Sequence, residues 1–140
     1  MSRLIVVILG LAAWIGISST HAADKAEELA KLAGPWTAES YTRTGQQPAE
    51  KEFLKALSLE IKGDRWLQKF RGETAPYVIL LETSVKPYVM VLKHMKVPAD
   101  RRCTYELKGD LLTVTEDLGE PGDVRIMVWK RKPAADNQVK

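Results

Sequence analysis

From position 36 onward the chain alternates. Trp36, Ala38 and Ser40 share one face of a strand, with Thr37, Glu39 and Tyr41 on the other. Leu57, Leu59 and Ile61 then alternate with Ser58, Glu60 and Lys62, and after a Gly63-Asp64 turn Trp66, Gln68 and Phe70 share a face. Alternation with a period of two is the mark of a half-buried strand. Cys103, Tyr105 and Leu107 repeat it against Arg102, Thr104 and Glu106, and Lys108-Gly109-Asp110 turns the chain into Leu111–Glu116. Val124–Arg131 supplies the last strand, and Thr44–Pro48, Val97–Arg101 and Asp117–Asp123 read as loops. Tyr77–Leu81 and Tyr88–Leu92 are apolar on both faces. Such strands are usually covered on both sides. About eight short strands with regular turn signals predict a mainly β chain, closed into an antiparallel up-and-down barrel or folded as a sandwich.

Two segments follow a helical period instead. Asp24–Ala33 carries Ala26, Leu29, Ala30, Leu32 and Ala33 as an apolar stripe. Asp24 and Glu27 form a capping-box variant, and Gly34-Pro35 stops the helix. Ala49–Ala56 predicts a second, short helix that turns Phe53, Leu54 and Leu57 inward.

The first residues belong to a different class. Arg3 precedes an apolar run, Leu4–Ile17, followed by the small residues that end in Ala22-Ala23. This is the plan of a secretory signal peptide, cut after Ala22 or, less favourably, after Ala23. The run is shorter than the ~20 residues of a spanning helix, so no stable membrane insertion is expected once the signal is gone. The expected organisation is therefore a signal at 1–22, one domain at 23–132 and a flexible tail at 133–140, in a secreted or periplasmic protein. Apolar residues make up 45% of the chain and charged residues 28%, enough for a packed core. The net charge of +3 falls further when Arg3 leaves with the signal. Nothing in that balance points to nucleic acid.

Catalytic and metal chemistry find no foothold in the spacing. His94 is the one histidine beyond the signal, and no Gly-x-Ser-x-Gly elbow accompanies it. A strand-end packing role suits it better. Cys103 is a lone thiol on the apolar face of its strand, where it acts as a small hydrophobe. Glu116, Asp117, Glu120 and Asp123 read as a solvated acidic loop without the ligand spacing of an EF-hand. No catalytic residue, cofactor or metal is assigned.

Several stretches taken together carry a resemblance. Ala33-Gly34-Pro35-Trp36 follows a charged helix. Leu57–Trp66 forms a strand, a Gly-Asp turn and a strand. Lys86-Pro87-Tyr88-Val89 enters a middle strand. Tyr105–Val114 has the form Tyr-x-Leu-x-Gly-Asp-x-Leu, and the last strand ends Val128-Trp129-Lys130-Arg131. In this order they resemble the lipocalin-like domain family found among small exported proteins of planctomycete-type bacteria. Gly119–Arg125 departs from the Arg-Pro and Phe that such proteins often carry before the last strand. The resemblance implies an exported lipocalin-like barrel, with Trp36 at the closed end beneath Lys130 or Arg131 as structural closure.

A barrel of this size is either filled by side chains or holds one small ligand. If it holds one, Trp66, Gln68, Phe70, Tyr77, Tyr88 and Tyr105 are the candidate binding residues, with a small apolar molecule as the ligand. The alternative is a protein-interaction module, a homodimer or a bound partner, that uses the outer faces of Tyr77–Leu81 and Tyr88–Leu92.

Overall fold

A computed structural model describes residues 20–133, with side chains from Asp24 onward. The expected signal cut, after Ala22 or Ala23, lies outside the residues with described side chains, and the expected tail lies outside from 134 on. Helix α1 spans Thr20–Leu32, then come β1 (Gly34–Arg43), α2 (Lys51–Lys55), β2 (Leu57–Lys62), β3 (Arg65–Phe70) and β4 (Glu73–Glu82). The chain continues through β5 (Tyr88–His94), β6 (Asp100–Lys108), β7 (Leu111–Asp117) and β8 (Val124–Arg131). Each strand pairs antiparallel with the next, and β8 pairs back onto β1, so the eight close into an up-and-down barrel. Closure leaves no unpaired sheet edge.

The two Gly-Asp turns expected from the sequence are observed, while the expected loop Val97–Arg101 is shorter because β6 already begins at Asp100. Lys62 faces Arg65 across Gly63-Asp64, and Lys108 faces Leu111 across Gly109-Asp110. Helix α1 starts earlier than expected. Its backbone is already helical at Thr20, so Asp24 lies within the helix and not at its cap. Its buried stripe is also narrower: Leu32 is buried and Leu29 half-buried, while Ala26 and Ala30 are exposed. The helix lies on the barrel through its C-terminal half.

Strand β1 corrects the sequence reading in a way that matters below. Ala38 faces Trp129, Ser40 faces Val128 and Tyr41 faces Met127. Two residues, Glu39 and Ser40, therefore span the space that Val128 alone spans on β8. This β-bulge flips the alternation. Tyr41, expected on the face opposite Trp36, turns inward with it.

Side chains from all eight strands fill the waist of the barrel. Trp36, Trp66, Trp129, Leu59, Ile61, Met90, Leu92 and Leu112 are essentially inaccessible to solvent. Trp66 and Trp129 meet edge to face at 6.2 Å, the geometry that the indole quadrupole favours. Each aliphatic side chain buried here contributes about 1.5–3 kcal/mol. The doubly apolar strands split as their period requires. Ile79, Leu81, Met90 and Leu92 point in, and Val78, Leu80, Val89 and Val91 point out, with Leu80 46% exposed.

Candidate functional site

The filled waist leaves two ends, and each is closed differently. At the α1 end, Trp36 is 1% exposed and donates from Nε1 to the Leu32 carbonyl at 3.0 Å. The Arg131 guanidinium stands 4.3 Å above its ring and donates to the carbonyls of Ala33 and Lys31 at 2.6 and 2.7 Å. Of the two basic residues expected over Trp36, Arg131 takes the place. Lys130 alternates with it and is exposed. A guanidinium on the last carbonyls of a helix also meets the negative end of the helix dipole. Gly34 makes this approach feasible: its φ is +125°, and a Cβ there would lie 3.3 Å from Arg131 Nη1.

At the α2 end the barrel opens into a cup of about 250 Å³. Three aromatic rings form its apolar wall. Phe53 reaches over from α2 to lie 5.6 Å from Tyr41 and 5.2 Å from Phe70, centroid to centroid. Leu57 and Met127 complete the apolar part, and Gln68, Arg101 and Arg125 supply the polar part.

Beneath the cup lies Glu116, 6% exposed. Arg101 grips its carboxylate with both ends of the guanidinium fork, Nε at 3.0 Å and Nη2 at 2.8 Å. Arg125 donates to the same carboxylate from Nε at 2.9 Å and from Nη2. Burial raises the Glu116 carboxyl, but the hydrogen bonds and charges of Arg101 and Arg125 outweigh it and hold the group below its ordinary value. At the rim, Arg43 forms a similar fork with Asp123, at 3.3 and 3.0 Å.

The six expected binding residues do not converge on one site. Gln68 and Phe70 line the cup. Trp66 is core, 1% exposed, and donates to the Gln68 side-chain oxygen at 3.3 Å. Tyr77 stands beside the cup, against His94 at 4.9 Å and under Arg101 at 5.6 Å. Tyr88 and Tyr105 belong to the opposite end. They line a cleft of about 780 Å³ beside α1, together with Glu28, Lys31, Lys86 and Lys108. There the Tyr105 hydroxyl donates to Glu28 Oε2 at 3.1 Å, and burial, reinforced by the Glu28 charge, raises its ionisation.

The sequence reading turns Phe53 inward without giving it a role in a site, and misses Tyr41, Arg101, Glu116 and Arg125. Period-two phasing reaches the last three. Cys103 and Tyr105 extend back to Arg101, Leu112 and Val114 forward to Glu116, and Met127 and Trp129 back to Arg125. The sequence reading puts Arg101 in a loop, counts Glu116 with an acidic loop and gives Arg125 no face on the last strand, so three interior residues are lost.

His94 accepts the backbone N–H groups of Lys96 and Val97 at Nδ1, at 3.0 and 3.3 Å, which fixes the β5–β6 turn. Cys103 is buried, and burial pushes its thiol up to about 11. Among the described residues, no group of three His, Cys, Asp or Glu side chains is placed to hold a metal ion, and no helix is long and apolar enough to cross a membrane. A scan against protein-family models and searches of curated proteins and of solved structures found no match to this chain.

Proposed function

We propose that this chain is an exported, non-catalytic binding protein that takes a small, largely apolar molecule into the α2-end mouth of its barrel. The observation that carries the reading is the cup itself: three aromatic rings from β1, α2 and β3 around a 250 Å³ space, with Gln68, Arg101 and Arg125 as its polar groups. An apolar enclosure with a few convergent polar groups is the usual form of a small-molecule site. The volume corresponds to roughly eight waters, which limits the occupant to a short chain or a single ring. Export rests on the signal plan of residues 1–22. The lipocalin-like kinship rests on the stretches that carry the resemblance and on the barrel architecture.

Titration of the ¹⁵N-labelled protein with octanol, indole and octanoate tests the mouth. Saturable amide shifts at Phe53, Leu57, Gln68, Phe70 and Met127 are the expected result. The absence of a saturable shift with all three compounds overturns it.

One observation favours the second reading, a protein-interaction module. Leu80, Val78, Val89 and Val91 form an apolar strip on the outside of β4 and β5. If that strip holds a second copy of the chain, the protein sediments as a dimer and Leu80→Asp converts it to a monomer. A wild-type monomer at high concentration excludes the homodimer.

A further inference from the structure

We propose that the occupant of the cup carries a single carboxylate, held by the free edges of Arg101 and Arg125. The proposal rests on the mouth reading and names the chemistry of its polar wall.

The donors and acceptors of that wall are unequally used. Both oxygens of Glu116 are taken by the two guanidinium groups, and the side-chain oxygen of Gln68 is taken by Trp66. The donors of these residues that neither Glu116 nor Trp66 takes up are Nη1 of Arg101, Nη1 of Arg125 and the amide nitrogen of Gln68, with the Tyr77 ring against the Arg101 guanidinium. An ionised arginine has five N–H donors and no acceptor. Among the side chains of Gln68, Arg101 and Arg125 the unused donors outnumber the unused acceptors, which is the complement of an anion.

Charge points the same way. Two guanidinium groups share one carboxylate, so the cluster carries one uncompensated positive charge. Glu116 lies beneath the cup and does not line it. Other charges nearby do not cancel the excess. Arg43 and Asp123 neutralise each other at the rim. Glu73 and Lys96, one charge of each sign, both line a neighbouring depression with Phe70, Pro76 and His94, outside the cup. A charge held in a partly dry site is costly unless it is paired, and an anion in the cup supplies the pair.

The magnitude of the excess selects the anion. A carboxylate carries one charge, which matches it. A phosphate monoester carries about 1.5–2 and would overshoot. A guanidinium edge binds carboxylate through parallel N–H bonds, with the plane of the ligand fixed by the fork. The aromatic rings of Tyr41, Phe53 and Phe70 then receive the apolar remainder. The occupant is thus a short-chain or single-ring monocarboxylate.

Calorimetric titration of the wild-type protein with octanoate, octanol, octyl phosphate and octylamine tests the proposal without any substitution. Octanoate is expected to bind at least about tenfold tighter than octanol, with octyl phosphate weaker than octanoate and octylamine not competing. Arg125→Gln is expected to cost octanoate about tenfold and octanol much less, so that the preference for octanoate over octanol narrows. If octanol binds as tightly as octanoate, the carboxylate is refuted while the apolar mouth survives. Tighter binding of octyl phosphate refutes the choice of anion. Failure of all four ligands refutes both the carboxylate and the mouth.

Discussion

The two ends of the barrel both place arginine against aromatic rings, yet they do opposite things with it. At the α1 end Arg131 lies on Trp36 and donates to two backbone carbonyls at the end of α1. Its donors go to the chain itself, and the result is a lid. At the α2 end Arg101 and Arg125 converge on one carboxylate that cannot balance them, and each keeps a free edge toward a space. The two ends differ in whether the donors and the charge of the arginines are fully used inside the fold.

The largest expected effect comes from removing the shared counter-charge. Glu116→Gln leaves two half-buried guanidinium groups facing each other without their shared counter-charge and is expected to cost up to about 3–5 kcal/mol, the usual penalty for breaking a buried pair. Chemical denaturation reads the loss. A variant as stable as wild type would show that the cup is already solvated enough to screen both charges.

Trp36→Ala, at the other end, is expected to cost a similar ~3–5 kcal/mol through the cavity it leaves. Octanoate affinity should not change, because the waist stands between the two ends. A loss of binding in the folded variant would show that the ends are coupled.

Acid sharpens the contrast. Glu116 is held below its ordinary range when folded, so it favours the native state above its unfolded value of about 4.3. That contribution disappears as pH falls through the folded value. Melting temperature is expected to drop below about pH 4. In Glu116→Gln this part of the drop is expected to be missing.

The smallest effect is expected at Phe53. Phe53→Ala removes one wall of the cup from a half-buried position. It should weaken octanoate severalfold while costing less stability than Trp36→Ala. Equal costs would make Phe53 a core residue and not a wall.

The strands were legible in the sequence because alternation, Gly-Asp turns and strand length all report the same local geometry. Gly34-Pro35 marked the helix end for the same reason. The α1 lid was half legible. Trp36 was placed, but which neighbour would cover it depended on the side Lys130 and Arg131 take on β8. The cup was hidden for two physical reasons. A bulge at Glu39-Ser40 turns Tyr41 inward, and nothing in the local composition announces it. The other reason is that a charged residue on an apolar face looks like the end of a strand. Arg101, Glu116 and Arg125 each sit one step beyond an inward apolar residue, and only the three together make burial affordable. Pairing between β6, β7 and β8 brings them into one place, and single-strand patterns do not carry that information.

The most direct measurement is the set of intermolecular nuclear Overhauser effects between octanoate and the protein. Contacts from the octanoate chain to the ring protons of Tyr41, Phe53 and Phe70, with its first methylene nearest Arg101 and Arg125, are the predicted result. Contacts instead to Tyr88 and Tyr105 would move the site to the cleft beside α1 and contradict the division of labour between the two ends.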